Sequence, residues 1–153
     1  MAAPGLPRAE YIFQHIKTTL ESITIANGYL TDIGTVSRGI LSPLETFGLP
    51  LASILPATDE PTEEIGAQWN VLTVAIRLWI DAAPSAGATV LELLIGDVRR
   101  SMKVDRRRGG YAENTIDGAK QYNYLVDTER LEGADVVFLI HYRTSLNSPF
   151  LGV

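Results

Sequence analysis

Residues 69 to 80, WNVLTVAIRLWI, decide the fold of this chain. Their side chains alternate, with the even-numbered positions from Leu72 to Ile80 all aliphatic and the odd-numbered positions from Trp69 to Trp79 mixed. A period of two is typical of a strand with one buried face. The mixed face carries Trp69, Arg77 and Trp79, and a helix, loops of the same domain or another subunit would each be able to cover it.

Periodic segments on both sides of this strand predict the remaining elements. Apolar residues at helical spacing predict a helix from Pro7 to the Asn27-Gly28 turn and a second helix after Pro84-Ser85. Shorter apolar runs predict strands within Tyr29–Val36, at Leu51–Leu55, at Tyr122–Thr128 and at Val136–Arg143. At 153 residues the chain fits one domain. We expect an α+β fold, with a largely antiparallel sheet of four to five strands packed against two main helices.

Three segments lack this periodicity. Residues 43–66 contain several prolines and end in the acidic segment Asp59–Glu64, so we expect a Pro-rich arm or edge strand followed by an acidic turn. Residues 103–121 contain three glycines and are expected to form a long exposed basic loop. Residues 144–153 are expected to be an extended tail, which either docks on a neighbouring molecule or folds back on its own domain.

Charge is strongly segregated along the chain. The segment Arg99–Arg108, RRSMKVDRRR, holds six cations and one anion, a net charge of +5. Because the whole chain carries −5, the other residues together carry −10. Four of their carboxylates lie within six positions, at Asp59, Glu60, Glu63 and Glu64. The sequence therefore predicts two oppositely charged surfaces.

No catalytic or metal-binding motif accompanies these charges. The chain has no cysteine, and its two histidines, His15 and His141, lie far apart in the sequence, so we interpret both as structural. No GxSxG elbow, phosphate loop or dinucleotide fingerprint is present. We expect neither an enzyme nor a bound cofactor or metal. The N-terminus lacks the pattern of a signal peptide, and no apolar run is long enough to span a membrane.

The arginine cluster has three interpretations. It is a solvated helix end, or a contact for nucleic-acid phosphates through Lys103, Arg106, Arg107 and Arg108, or a contact between subunits. In the last case, Arg106, Arg107 and Arg108 of one copy meet the acidic segment of the next, in a head-to-tail contact that closes into a ring when its rotation permits. The acidic character of the whole chain disfavours a dedicated DNA-binding protein.

Several phrases of the sequence resemble one family of virus proteins. The segment Thr24–Arg38, TIANGYLTDIGTVSR, is followed by the Pro-rich stretch, the strand at Trp69–Ile80, the helical phrase Leu94–Val98 and the Gly109-Gly110 loop. In this order, from about Tyr11 to Tyr142, they resemble the tail terminator, or tail completion, proteins of tailed bacteriophages.

This resemblance implies a specific structural role. It implies an α+β subunit that forms a hexameric ring at the head-proximal end of the tail tube, ends tube polymerisation and joins the tail to the neck and head. The implied partners are further copies of the chain, the tail tube protein, a neck, head-completion or connector protein, and DNA passing transiently through the lumen. The implied location is the virion, after assembly in the host cytoplasm. Alternatives are another head-to-tail connector, a head-completion protein, a tail tube subunit or a small intracellular binding module.

Overall fold

A computed structural model describes residues 5–40, 48–81, 87–126 and 130–150. Two helices, α1 (Arg8–Glu21) and α2 (Gly87–Val104), accompany five strands. The strands are β1 (Thr35–Arg38), β2 (Leu51–Glu64), β3 (Ala67–Asp81), β4 (Asn114–Val126) and β5 (Arg130–Thr144). Short 3-10 helices lie at Ile25–Asn27 and Arg108–Gly110. No helix in the described ranges is both long and apolar enough to cross a membrane.

The five strands form one sheet in the order β1-β2-β3-β5-β4. The short strand β1 pairs with β2 in parallel, and the other three pairings are antiparallel. The expected α+β architecture, with a largely antiparallel sheet and two main helices, is confirmed. β3 is the strand that the sequence pattern predicted, and it lies at the centre of the sheet.

The core lies between the sheet and the two helices. On β3 the aliphatic residues from Leu72 to Ile80 are buried, whereas the alternating residues from Trp69 to Trp79 are half-buried. The helices contribute apolar residues at helical spacing, namely Ile12, Phe13, Ile16 and Leu20 from α1 and Leu91, Leu94, Ile95, Val98 and Met102 from α2. Burial of these stripes stabilises both helices far more than their intrinsic propensities do. The Ile23 side chain joins this core, although α1 ends at Glu21.

The acidic segment is a strand, so the prediction of an acidic turn is wrong. Asp59–Glu64 forms the outer half of β2 and pairs with β3 as far as Glu64 and Ala67. The turn is only Ile65-Gly66, where Gly66 has φ +85°, a conformation that favours glycine. The sequence pattern did not indicate this part of β2, because the strand contains two prolines and four carboxylates, and both kinds of residue are depleted in strands. Of the predicted arm, residues 43–47 lie outside the described residues.

The prediction of a long loop at residues 103–121 is also wrong. Helix α2 continues to Val104 and β4 begins at Asn114, so only a short connection with a 3-10 turn separates them. A register shift between Asp117 and Lys120 interrupts the side-chain alternation of β4 and concealed this strand in the sequence. Gly118 lies in the shift, where an added Cβ would approach Val137 at 3.1 Å.

The C-terminal segment folds back on its own chain as far as the structure describes it. The Arg8 backbone N–H donates to the Pro149 carbonyl at 3.0 Å, and Phe150 forms an antiparallel bridge with Pro7. This favours the second of the two expectations for the tail. Residues 151–153 lie outside the described ranges.

Candidate assembly surfaces

One face of the sheet carries no helix among the described residues. Both α1 and α2 pack on the face that holds the aliphatic residues of β3. The opposite face presents half-buried apolar side chains together with Trp69, Arg77 and Trp79, the three residues that the sequence pattern placed there. Its large half-buried apolar members are Leu55, Trp69, Val71, Trp79, Val137 and Leu139, whereas Leu51 and Leu131 on the same face are buried.

Two arginines on this helix-free face, Arg77 and Arg143, are paired within the chain. Arg77 Nε and Nη2 donate to the two Asp135 carboxylate oxygens at 2.8 and 2.9 Å. These hydrogen bonds raise the pKa of Arg77 despite its partial burial. The Arg143 guanidinium lies 5.1 Å from the centre of the Trp69 ring and donates to Glu113 at 3.0 Å. Arg77 and Arg143 therefore each have a carboxylate partner within the chain.

The outer half of β2 forms the first charged surface, which we call the acidic edge (Asp59–Glu64). The pairing of β1 with β2 ends at Arg38 and Ile54, so beyond that point β2 is the edge strand among the described residues. Every residue from Pro56 to Ile65 is exposed, and Ile65 is fully so. Asp59 accepts a hydrogen bond from the Tyr142 hydroxyl. Burial raises the pKa of Tyr142, and the neighbouring Asp59 carboxylate raises it further.

The six cations of the basic segment do not act as one group. Arg99 donates to the Gly118 carbonyl, and Arg100 donates to the Gly28 carbonyl and stacks over the Tyr29 ring. Lys103 forms an ion pair with Asp117 at 2.7 Å. Within the described ranges, Arg106 and Arg107 are exposed and have no ion-pair partner. We call these two residues the basic turn.

Arg108 is not part of the surface, which corrects its assignment to the subunit contact and to the nucleic-acid contact. Its side chain is fully buried and donates to the Met102 and Asp105 carbonyls at the end of α2. Burial lowers the pKa of Arg108 to about 10, opposed by the Asp105 carboxylate. A guanidinium that satisfies carbonyls of a helix end stabilises that end of the helix, and the sequence alone does not separate it from Arg106 and Arg107.

Two polar clusters near the helices were missed by sequence reasoning. Asp97 is 2% exposed, and one of its carboxylate oxygens accepts hydrogen bonds from the Leu30 and Thr31 backbone N–H groups and from the Thr31 hydroxyl. His15 lies 3.4 Å from an Asp105 oxygen. Both contacts join residues far apart in the sequence, so no local pattern indicates them. In the described part of the chain, no three His, Asp or Glu residues are placed to hold a metal ion.

The acidic edge and the basic turn lie at the same end of the sheet but on opposite lateral edges. Glu60 pairs with Val71, Val71 with His141, and His141 with Asn114 at the start of β4. The Thr115 hydroxyl donates to the Arg106 carbonyl at 2.8 Å, which holds the basic turn beside this start. Three strand spacings, about 14 Å, separate the two edges. The predicted partners therefore do not meet within one molecule.

Known proteins show only a loose structural similarity to this chain. No protein-family model matches the chain, and no curated protein matches it. Among solved structures, a chain from the virion of a native gene transfer agent particle matches with a TM-score of 0.41 and 10% sequence identity, over 87% of this chain and 92% of that one. So loose an overlap does not establish a shared fold.

Proposed function

We propose that this chain is a ring-forming structural protein of a tailed-bacteriophage virion. The observation that carries the proposal is the placement of the acidic edge and the basic turn on opposite lateral edges of one sheet. Surfaces that are complementary but different make a head-to-tail contact, and such contacts close into rings when the rotation permits. A structural ring subunit needs no catalytic group, so the proposal includes that the chain is not an enzyme.

Within the virion, we assign the chain the role of tail terminator. The support is the sequence resemblance from Thr24 to the Gly109-Gly110 loop, and the role accounts for a small subunit with two distinct lateral surfaces. A hexameric ring would sit on the head-proximal end of the tail tube, stop its growth and present its other side to a neck or head-completion protein. Of the three residues assigned to the subunit contact on the helix-free face, Trp69 would lie nearest the adjoining copy, because it pairs with Thr62 of the acidic edge, whereas Arg77 and Trp79 pair with Ser53 and Leu51.

Contact with DNA in the lumen is a secondary part of this proposal. Of the cations suggested for that role, Lys103 is paired with Asp117 and Arg108 is buried. Arg106 and Arg107 are thus the residues left to contact passing phosphates, which they would do without reading sequence. An arginine that pairs with a carboxylate of a neighbouring copy is not available to a phosphate in the lumen. We therefore assign Arg106 and Arg107 to the subunit contact first.

The first test is the mass of the purified protein. Size-exclusion chromatography with light scattering should give a hexamer, and negative-stain electron microscopy of the same fraction should show a ring with a central hole. A stable monomer that is also not recruited by added tail tubes would contradict the proposal and favour a small intracellular binding module.

The second test separates a terminator from its neighbours in the virion. Purified tube protein should polymerise to a shorter length when this chain is added, because the ring blocks the growing end. Tube growth that continues unchanged around an intact ring would assign the chain to another connector or head-completion protein. Copolymerisation along the tube wall would assign it to the tube itself.

A further inference from the structure

We propose that neighbouring copies join by sheet extension, in which the edge of β4 in one copy pairs with the acidic edge of β2 in the next. This inference rests on the proposed head-to-tail ring and specifies how its subunits bind. Strand addition at an exposed sheet edge is a recurring mode of association, because backbone groups that lack a partner supply the affinity.

The acidic edge directs backbone groups away from the sheet, and no described strand pairs with them. In a strand, all residues on one face direct their N–H and C=O groups to the same neighbour. On β2, residues whose side chains lie on the helix side of the sheet direct their backbone groups towards β1. Ile54 is such a residue, and its carbonyl accepts a hydrogen bond from the Gly39 N–H at 3.2 Å. Beyond β1 the helix-side residues are Asp59, Pro61 and Glu63, which pair with Leu72, Asn70 and Gln68. Three carbonyls and only two N–H groups therefore point outward, because proline has no N–H.

The β4 edge supplies the groups that the acidic edge lacks. Helix-side pairs are non-hydrogen-bonded between β2 and β3, hydrogen-bonded between β3 and β5, and non-hydrogen-bonded again between β5 and β4. The helix-side residues of β4 therefore direct their backbone groups to the other lateral edge. These residues are Thr115, Asp117, Lys120, Tyr122 and Tyr124, and each has both an N–H and a carbonyl. No described strand pairs with this side of β4. The β4 edge therefore offers as many donors as acceptors, whereas the acidic edge offers one donor fewer than its acceptors.

Direction and charge both match in a head-to-tail arrangement. In the proposed ring the strands run along the ring axis, and rotation about that axis preserves their sense, so β4 of one copy meets β2 of the next in the antiparallel sense. The start of β4 is level with Glu60, and Arg106 and Arg107 lie beside it. Extension of the sheet would therefore bring the basic turn of one copy against the acidic edge of its neighbour.

The acidic edge also selects against the wrong pairing. Two β2 edges that paired with each other would place four carboxylates against four, and like charges on opposing strands are destabilising. Prolines and charges on an edge strand protect it from nonspecific pairing in the same way. The composition that concealed this strand in the sequence is thus suited to an edge that accepts one kind of partner.

Introduced cysteines test the pairing directly, because the chain has none of its own. Glu60 and Ile116 are exposed, lie on the helix-free face and direct their backbone groups inward. Across the proposed junction Ile116 would face Thr58 if the two edges are level, and Glu60 if they are shifted by two residues. Either pair is non-hydrogen-bonded, with a Cα separation of about 4.5 Å that suits a disulfide. The E60C/I116C variant is oxidised in its native oligomer, and T58C/I116C and T62C/I116C cover the neighbouring registers.

We expect one of the three pairs to convert most chains into a covalent ladder that ends at the copy number of the ring. The control E60C/Y124C should stay monomeric on a denaturing gel, since Tyr124 lies on the other face and at the far end of β4. An intact ring with no cross-link from any pair would overturn the edge pairing and leave the ring proposal standing. A dimer formed by I116C alone would overturn it in favour of β4 pairing with itself. Absence of any oligomer, with or without tail tubes, would overturn both proposals.

Discussion

At the scale of single residues, Asp97 connects helix α2 to the loop before β1. Its buried carboxylate accepts three hydrogen bonds from Leu30 and Thr31. We expect Asp97→Ala to lower the free energy of unfolding by about 3 kcal/mol, because two backbone N–H groups and a hydroxyl would lose a charged partner in a buried site. Urea denaturation followed by circular dichroism measures the change.

A second carboxylate provides the control for this prediction. Asp32 is exposed and accepts one hydrogen bond, from the Ile25 N–H at 2.7 Å. Asp32→Ala should lower the free energy of unfolding by no more than about 1 kcal/mol. Equal losses in the two variants would show that burial of Asp97 does not determine its contribution.

His15 gives the fold a dependence on pH. Burial lowers the pKa of His15, and the charge of Arg108 lowers it further, whereas Asp105 opposes both. The unfolded chain therefore binds a proton at a higher pH than the folded one, and stability falls as the pH falls below about 6.5 towards the folded pKa. The free energy of unfolding, measured at intervals from pH 7.5 to 5, should fall less steeply in His15→Gln than in the parent. Identical slopes in the two proteins would contradict this assignment.

At the scale of elements, the centre of the sheet depends on the absence of a side chain at Gly133. This residue of β5 lies between Trp79 of β3 and Asn123 of β4. An added Cβ would overlap the Leu78 carbonyl oxygen and lie 2.6 Å from a carbon of the Trp79 ring. We expect Gly133→Ala to destabilise the protein by about 1–3 kcal/mol, because backbone and ring must move apart. The midpoint of thermal unfolding reports the change.

Helix α2 offers a matched glycine substitution that is expected to raise stability instead of lowering it. Gly96 is exposed within the helix, and an added Cβ would have no heavy atom within 4 Å. Gly96→Ala should raise the free energy of unfolding by up to about 1 kcal/mol through helix propensity alone. A loss of stability in both variants would mean that the environment of Gly133 is not the cause.

The elements also show how far the sequence predicts this fold. Helices α1 and α2 and the strand β3 follow from periodicity, because each buries a continuous stripe or face. The acidic half of β2 and the start of β4 do not, since prolines, carboxylates and a register shift interrupt the alternation that marks a strand. At the candidate site, sequence reasoning found the two opposite charges but placed Arg108 among them, because its burial depends on carbonyls at Met102 and Asp105 that only the folded helix end presents.

At the scale of the whole molecule, the charge distribution favours one mode of association. The acidic edge and the basic turn are about three strand spacings apart. In every copy the acidic edge is negative and the basic turn is positive. A twofold contact of either edge with the same edge of a second copy would bring like charges together, whereas a head-to-tail arrangement pairs opposite ones. Repeated around a ring, the same contact would satisfy both surfaces of every copy. Association driven in this way should also weaken with added salt, because exposed charges are screened.

Reversal of the charges tests this arrangement. We expect the Arg106→Glu/Arg107→Glu variant to dissociate the oligomer at physiological salt, since each junction would then oppose carboxylates to carboxylates. Combination with Glu60→Lys and Glu63→Lys should restore the parent mass in light scattering, because both partners of the junction are reversed together. The control Lys17→Glu/Arg100→Glu makes the same change in net charge away from both surfaces and should leave the mass unchanged. If this control dissociates the oligomer as well, net charge rather than the junction governs assembly. If the fourfold variant stays dissociated while its fold is intact, the acidic edge and the basic turn do not meet.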